Sequence, residues 1–274
     1  MLEKPDLGDE HIFSCLREDY GLIVARATFL PIGADTNTAV YRINTGDGRT
    51  CFLKLRKGRF DELTVQVPRL LAAQGVQAIL APLETIKGQG WGKLDDYTAI
   101  LYPFIQGQDG FKQELSDRQW IKFGAALKSV HVAQVPQALR ASILQEAYSS
   151  RWKEMVWAFQ TQITDTTFED PTAAKLAAFM RTRQREINCM VARAEQLGSA
   201  LRGKSLEYVL CHGDIHAGNL LISMTGDLFI VDWDTIVLAP KERDLMFVGA
   251  GIGGMWRSDQ ETSLFYQGYT DSGA

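Results

Sequence analysis

The spacing of apolar and polar positions divides the first hundred residues into a helix, a series of strands and a second helix. Apolar positions at helical spacing predict a short helix over residues 9–20. The pattern then changes to short apolar or alternating runs separated by turn residues, which is typical of strands. Strands are predicted over residues 27–31, 38–43, 50–55, 78–86 and 98–105. We therefore expect an antiparallel sheet in this part of the chain.

The second helix, predicted over residues 61–74, contains a proline. Pro68 lies inside this segment, and a proline in a helix interior costs roughly 3 kcal/mol. Two alternatives follow: the helix is kinked at Pro68, or it begins late with Pro68 in its first turn. Farther on, the glycine-containing residues 107–110 are interpreted as a linker at which the β-rich part ends.

The remainder is expected to be mainly helical. Ser116 and Gln119 have the spacing of a capping box, and the apolar stripe that follows ends at His131. We interpret His131 as a hydrogen-bonded core residue rather than a ligand. Further helices are predicted over residues 151–163, from Pro171 to about residue 201, and from about residue 258 to 269, and their apolar stripes are interpreted as packing surfaces.

One predicted hairpin, with the loop that leads into it, interrupts this helical part and contains the candidate metal ligands and the candidate base. Residues 208–222 read as a strand, a polar loop and a strand, and the turn at residues 225–227 leads into another apolar run. The resulting hairpin should place Asn219 beside Asp232, with Asp214 nearby on the loop that precedes it. Carboxylate and amide oxygens suit a hard cation such as Mg²⁺, which is commonly shared with substrate phosphates.

Composition and charge restrict the class of partner. The 274 residues carry a net charge of −4, which argues against a nucleic-acid partner and permits a cationic substrate. The four cysteines form no CxxC pair, so a reducing compartment is expected. The sequence shows no apolar signal region and no run long enough to cross a membrane. A soluble cytoplasmic protein without a membrane partner is the resulting expectation.

Phosphoryl transfer needs a phosphate-binding backbone, a lysine, metal ions and a carboxylate that positions the acceptor hydroxyl. The sequence offers a candidate for each part. Lys54 lies inside a predicted strand, where it either extends to solvent or has an anionic partner. Asp214 could accept the proton of the acceptor hydroxyl, and Asn219 and Asp232 could hold Mg²⁺. The small-residue loop that could cover phosphates contains Gly33, Asp35, Thr36 and Asn37.

Residues 212–219, His-Gly-Asp-Ile-His-Ala-Gly-Asn, resemble the H-x-D-x-x-x-x-N catalytic loop of the aminoglycoside phosphotransferase family, which is related to the eukaryotic protein kinases. The separation of five positions between Asp214 and Asn219 equals that of the kinase pattern. Other segments resemble family motifs, and they follow the same order along the chain. Residues 52–55 resemble the strand with the lysine, residues 102–105 the hinge between the lobes, and residues 231–234 the metal-binding segment. Asp244 matches an aspartate that supports the catalytic loop in the family.

This resemblance implies a two-lobed, kinase-like α+β fold. Residues 1–106 would form an antiparallel, β-rich nucleotide-binding lobe, and residues 107–274 a mainly helical lobe with the catalytic loop and the acceptor site. ATP would lie at the hinge and Mg²⁺ on Asn219 and Asp232. Glu62 would pair with Lys54, with Asp61 as the second candidate. The hinge residues would be Tyr102, Pro103, Phe104 and Ile105. Family members usually continue with further C-terminal helices, so the expectation here is either a truncated chain or a more open acceptor pocket.

The resemblance also implies a reaction. The γ-phosphate of ATP would pass to a hydroxyl of an aminocyclitol or aminoglycoside antibiotic and so confer resistance. The branch of the family that acts on spectinomycin is resembled by residues 31–37, 52–58, 102–105, 209–212, 214–219 and 238–247. Acceptor choice is expected to depend on the helices after Gly110 and on residues 249–256. Acidic residues that could pair with a cationic acceptor are Glu146, Glu154, Asp165, Glu169 and Asp170.

Four alternatives remain beside this interpretation. The polar loop could be a purely structural, hydrogen-bonded loop. The Asp214–His216 pair resembles a D-x-H metal motif, but a two-metal hydrolase needs further ligands and no histidine follows His216. A pseudokinase would keep the fold without activity. A kinase for another hydroxylated amine, such as choline or homoserine, would share the same catalytic residues.

Overall fold

An antiparallel sheet of five strands forms the N-terminal part of the chain, after helix α1 (Asp9–Tyr20). Every strand of this sheet runs antiparallel to its neighbours, and the strand order is β1-β2-β3-β5-β4. The strands are β1 (Val24–Leu30), β2 (Thr38–Thr45), β3 (Thr50–Lys57), β4 (Gly92–Leu94) and β5 (Tyr97–Pro103). The predicted helix over residues 9–20 and the antiparallel sheet are therefore both confirmed, although β4 was missed inside a polar segment.

The two faces of this sheet have different roles. Tyr41 and Leu53 are fully buried and belong to one apolar cluster with Ile12 and Leu16 of α1. Successive side chains of a strand point to opposite faces. Lys54 therefore lies on the face of β3 opposite Leu53, away from the α1 cluster.

The computed structural model describes residues 3–33, 35–248 and 258–271. Residues 249–256, to which part of the acceptor choice was assigned, lie outside these described residues. The chain forms two compact units, Met1–Leu144 together with Tyr208–Ala274, and Gln145–Glu207. The lobe boundary between residues 106 and 107 stays a prediction.

Helix α2 (Leu63–Ala73) contains Pro68 in its interior. The alternative of a late start is therefore wrong, because the helix begins at Leu63, five positions before the proline. Pro68 has no N–H to donate to the carbonyl of Thr64. Leu63, Val67 and Leu71 are buried in the main apolar cluster, and this tertiary packing stabilises the helix despite the lost hydrogen bond.

Residues 78–86 do not form the predicted strand. Ile79 makes a single parallel bridge with Ile230, and the Leu83 N–H donates to the Leu101 carbonyl at 2.7 Å. Ile79 is buried in one apolar cluster and Leu83 packs against the other. The segment is apolar because it contacts both clusters, and a short apolar run of this kind does not reveal its backbone conformation.

Residues 107–110, predicted to be a linker, begin with a strand instead. Strand β6 (Gly107–Asp109) pairs antiparallel with β8 (Leu220–Ser223), which pairs with β9 (Leu228–Ile230). A Cβ atom at Gly107 would overlap the Ile222 carbonyl. The glycine thus permits a close approach of two backbones and does not mark a flexible connection. The β8–β9 hairpin around the turn at residues 225–227 is confirmed.

Helix α3 (Asp117–His131) begins with the predicted capping box between Ser116 and Gln119. After it come α4 (Gln137–Ser142), strands β7 (Val209–Cys211) and β10 (Val237–Ala239), which pair with each other, α8 (Glu242–Leu245) and α9 (Asp259–Asp271). Phe123 of α3 and Phe265 of α9 contact edge to face, with ring centroids 5.0 Å apart. His131 is buried and hydrogen-bonded, as predicted.

The unit Gln145–Glu207 consists of helices α5 (Arg151–Asp165), α6 (Pro171–Thr182) and α7 (Gln184–Arg202). The single long helix predicted from Pro171 is wrong, because the chain turns at Arg183 (φ −104°, ψ 8°) and α6 and α7 both contact α5. The stripes predicted to pack are largely exposed: Trp152, Met155, Phe159, Leu176, Phe179, Met190 and Leu197. None of the helices in the described ranges has the length and apolar character needed to cross a bilayer.

The contact between α3 and α9 depends on a glycine from each helix. A Cβ atom at Gly124 would overlap the Phe265 carbonyl oxygen, and one at Gly268 would overlap the Ile121 carbonyl oxygen. Gly124→Ala should lower the free energy of unfolding by about 2 kcal/mol, since overpacking typically costs 1–3 kcal/mol. Urea unfolding measures this loss. Gly203→Ala is the matched control, because no atom lies within 4 Å of its added Cβ, and equal stability of the two variants would contradict the prediction.

Candidate active site

A cluster of charges links β3 to the segment that follows β9. Lys54 Nζ lies 2.9 Å from Asp232 Oδ1 and 2.9 Å from Asp234 Oδ2. Arg56, two positions after Lys54 on the same face of β3, contacts Asp234 Oδ2 at 2.5 Å. Only 14% of the Lys54 side chain is exposed. Of the two interpretations of Lys54, the structure supports an anionic partner and not extension to solvent.

These contacts fix the charge states of the cluster. Burial alone would lower the pKa of Lys54, but the carboxylates of Asp232 and Asp234 outweigh it and raise that pKa above its ordinary value. Burial would likewise raise the pKa of Asp234, but Lys54 and Arg56 hold it below its usual range. The lysine is therefore positively charged and Asp234 negatively charged across the physiological range of pH.

Asp232 has a strained backbone. Its φ of +65° lies in the left-handed region, which costs a non-glycine residue about 1 kcal/mol or more. About half of its side chain is exposed, which leaves the carboxylate accessible beside Lys54. Strain of this kind occurs preferentially at functional sites, so the conformation of Asp232 supports a role in binding.

The loop between β7 and β8 is tied to the end of β9. The Asn219 side-chain amide donates to the Asp214 carbonyl at 2.8 Å, and the Val231 N–H donates to the Asn219 carbonyl at 3.0 Å. The His212 ring donates from Nε2 to the Val231 carbonyl at 3.0 Å. The hairpin thus brings Asn219 next to the segment that carries Asp232. Asp214 lies on the same loop, with 44% of its side chain exposed.

Asp244, which is fully buried, anchors this loop through its backbone. Its carboxylate accepts the N–H groups of His212 and Gly213 at 2.9 and 2.8 Å, and contacts His131 Nε2 at 3.1 Å. His131 Nδ1 lies 2.7 Å from the Tyr269 hydroxyl. Burial would raise the pKa of Asp244, but these hydrogen bonds hold it below its usual range. The carboxylate is therefore ionised.

A cavity of about 700 Å³ opens beside the charge cluster. Its lining combines apolar side chains, among them Val40, Leu221 and Val231, with the polar groups of Lys54 and Asp232. This size and this mixture of apolar walls and few polar groups are typical of a small-molecule site. Burial within it raises the pKa of Tyr102 to about 12, so that phenol is neutral.

The predicted site residues divide into two sets around this cavity. Nine of them line it: Gly33, Asp35, Lys54, Tyr102, Pro103, Phe104, Ile105, Asn219 and Asp232. Thr36, Asn37, Glu62 and Asp214 are not among its lining residues. The Asn37 N–H instead donates to Asp35 Oδ1 at 2.8 Å, within the loop between β1 and β2. The expected grouping is therefore present for the hinge, the lysine and the two proposed metal ligands.

The expected ion pair between Glu62 and Lys54 is not formed. Glu62 directly precedes α2, and its carboxylate accepts a hydrogen bond from Gln66 at 3.1 Å. Lys54 has Asp232 and Asp234 as its partners instead. Because two carboxylates already neutralise Lys54 from the side of β9, the lysine does not require a partner on α2.

Sequence reasoning assigned no role to Asp234, Arg56 or Tyr269. A signal existed for the first two: strand alternation places Arg56 and Lys54 on one face, and Asp234 follows Asp232 by two positions. Tyr269 carried no such signal, because its partner His131 is 138 positions away. Three of the acidic acceptor candidates have structural contacts: Asp170 caps α6, Glu154 accepts a hydrogen bond from Ser150, and Glu146 accepts one from the Tyr148 N–H.

The profile of the phosphotransferase enzyme family (APH) matches residues 28–273. The chain belongs to this family. Among solved structures, spectinomycin phosphotransferase APH(9)-Ia in complex with ADP and spectinomycin is 35% identical, with a TM-score of 0.89 over 97% of this chain and 80% of that one. Its AMP-bound complex is 34% identical, with a TM-score of 0.86 over 96% and 81% of the two chains.

The chain is also similar to one more distant solved structure and to one curated protein. Amicoumacin kinase is 16% identical, with a TM-score of 0.64 over 98% of this chain and 79% of that one. Protein StrN of Streptomyces griseus is 24% identical over 206 residues, which span 74% of this chain and 64% of StrN. The kinase-like α+β fold predicted from the sequence is confirmed, with an antiparallel sheet in the N-terminal part and helices in the C-terminal part.

The hydrogen bonds of Asp244 generate a stability prediction. Asp244→Asn replaces one acceptor oxygen by a donor that faces backbone N–H groups, so we expect a loss of about 3 kcal/mol at neutral pH. Urea unfolding measures this loss. Glu242→Gln, an exposed position on the same helix, is the control. Equal stability of the two variants would show that the carboxylate does not support the loop.

The same substitution should change the dependence of stability on pH. The folded pKa of Asp244 lies below its unfolded value of about 4, so its contribution is complete above that value and is lost as the pH falls through the folded pKa. The thermal midpoint of the wild type should therefore fall more steeply below about pH 4 than that of Asp244→Asn. Parallel curves would rule out this contribution.

Proposed function

We propose that the protein is an ATP-dependent kinase that transfers the γ-phosphate to a hydroxyl of a cationic aminocyclitol or aminoglycoside, with spectinomycin as the first candidate. The observation that carries this proposal is one cavity lined by Lys54, Asn219 and Asp232, beside the loop that bears Asp214. Family membership and 35% identity to spectinomycin phosphotransferase over 97% of the chain support it. Phosphorylation of the antibiotic would confer resistance to it.

The nucleotide would bind in the cavity of about 700 Å³. The hinge residues Tyr102 to Ile105 contribute backbone groups, and Val40 and Leu221 offer apolar walls for a purine base. Lys54, held in its strand by two carboxylates, supplies a positive charge for phosphate oxygens. The solved relatives with ADP and AMP bind nucleotides of this class.

The donor groups fit a hard divalent cation. The Asn219 side-chain nitrogen is used in a bond to the Asp214 carbonyl, which leaves the amide oxygen as an acceptor. Asp232 uses Oδ1 for Lys54. Oxygen atoms of these two residues at one cavity match the preference of Mg²⁺. When bound there, the ion would neutralise charge on the phosphates, while Asn219 and Asp232 hold it in place.

Asp214 is the proposed general base or hydroxyl-positioning group. Its side chain is half exposed, so an acceptor hydroxyl has access to it. The loop that carries it is fixed by Asn219 on one side and by the hydrogen bonds of Asp244 on the other. This arrangement lets Asp214 take the hydroxyl proton as the oxygen attacks the phosphoryl group.

The same proposal includes a cationic acceptor and a cytoplasmic location. A net charge of −4 favours the approach of a cationic acceptor. The cysteines Cys15, Cys51, Cys189 and Cys211 are free, which suits the reducing cytoplasm where ATP is available. The reaction requires neither nucleic acid nor a membrane.

A turnover assay with Mg·ATP tests the function. The purified protein is incubated with spectinomycin, other aminoglycosides, choline and homoserine, and products are identified by mass spectrometry. We expect one added phosphate on spectinomycin. Transfer to choline or homoserine alone would replace the proposed acceptor class while the kinase assignment stands. Nucleotide binding without transfer to any acceptor would favour a pseudokinase.

Substitution of the two aspartates should separate turnover from binding. Asp214→Ala should lower kcat by about 10³-fold with little change in Mg·ATP affinity, because general base catalysis contributes 10²–10⁴-fold. Asp232→Ala should instead weaken Mg·ATP binding. Steady-state kinetics and calorimetric titration with a non-hydrolysable ATP analogue measure the two effects. Near-normal turnover of Asp214→Ala would exclude it as the base.

A further inference from the structure

The turn after β6 is hydrogen-bonded to the loop between β7 and β8 and to the first residue of β8. The Gly110 N–H donates to the carbonyls of Ala217 and Leu220, both at 3.0 Å. A Cβ atom at Gly110 would crowd the Ala217 carbonyl oxygen. These contacts place the next residue, Phe111, over the loop.

Phe111 lies on the ring of His216, two positions after Asp214. The two rings stack with centroids 5.5 Å apart and an interplanar angle of 23°. A side chain at Gly218 would collide with both rings, so this glycine is needed for the stack. Phe111 therefore restricts the plane of the imidazole.

The hydrogen bonds of His216 define its tautomer. The Gly218 N–H donates to His216 Nδ1 at 3.0 Å. Because a backbone N–H only donates, Nδ1 must be unprotonated and the ring carries its hydrogen on Nε2. Nε2 lies 3.6 Å from Asp214 Oδ2. A donor is thus directed at the proposed base.

The distance of 3.6 Å is longer than a hydrogen bond. The Asp214 side chain is half exposed, whereas the His216 ring stacks on Phe111 and accepts the Gly218 N–H. Catalytic hydrogen bonds are often long before substrate binds and shorten in the complex. The fixed partner in this pair is the histidine.

We infer that His216 is a positioning residue, whose Nε2–H orients the Asp214 carboxylate toward the acceptor hydroxyl. Phe111 holds the imidazole, the imidazole orients the base, and the base receives the proton. A base oriented by a third group is a general feature of activated hydroxyl nucleophiles. This inference rests on the proposed kinase function.

A pair of substitutions separates this role from the capping of the loop. His216→Asn places an amide oxygen near the position of Nδ1, so the Gly218 N–H keeps an acceptor while the donor to Asp214 is lost. His216→Gln places an amide N–H near the position of Nε2. We expect His216→Asn to lower kcat by about 10- to 100-fold, with KM for ATP within about twofold, as for loss of an orienting contact.

His216→Gln should regain part of that kcat, and both variants should keep the thermal midpoint of the wild type within a few degrees. Wild-type kcat in His216→Asn would overturn the inference. Equal losses of kcat in both variants, accompanied by a lower thermal midpoint, would also overturn it by showing that His216 only caps the loop.

Nitrogen-15 NMR supplies a measurement that does not need an acceptor. The His216 signals, assigned by their absence in His216→Asn, should show the pattern of the Nε2–H tautomer. An Nδ1–H tautomer would overturn the inference whatever the activity. If the wild type transferred phosphate to no acceptor, the kinase proposal would fail, while the NMR pattern would still decide the tautomer on which the inference depends.

Discussion

The buried carboxylate of Asp244 is the group on which the loop between β7 and β8 depends. It accepts two consecutive backbone N–H groups, those of His212 and Gly213, and it contacts His131 of α3. A buried charge is costly unless its oxygens are fully hydrogen-bonded, and here they are. The hydrogen bonds that stabilise the buried charge therefore also fix the backbone of the two residues that directly precede Asp214. Through His131 and Tyr269, the loop is also connected to the C-terminal helix α9.

A second constraint is electrostatic. Lys54 is held between Asp232 and Asp234, and Arg56 adds a second positive charge to Asp234. Preoriented charges in a partly enclosed cavity need little reorganisation when a charged substrate binds. This cluster joins two parts of the chain, β3 and the segment after β9, and so places Lys54 of the sheet next to the β8–β9 hairpin.

The sequence predicted the elements whose signals are local. The capping box at Ser116 and the turn between β8 and β9 depend on neighbouring residues, and both are confirmed. The errors arose where distant contacts decide the structure. Gly107 was interpreted as part of a linker, but it permits the backbone of β6 to approach Ile222 of β8, more than a hundred positions later in the chain. Glu62 lacks its expected partner because Lys54 is neutralised by carboxylates 178 and 180 positions away.

The left-handed backbone of Asp232 has a consequence for how this chain would change under selection. Glycine adopts a φ of +65° without the steric cost that an aspartate bears there. A glycine here would relieve this backbone strain, but it would also remove one of the two carboxylates that neutralise the largely buried Lys54. Selection can therefore maintain an aspartate at this strained position, because its carboxylate forms an ion pair that glycine cannot supply.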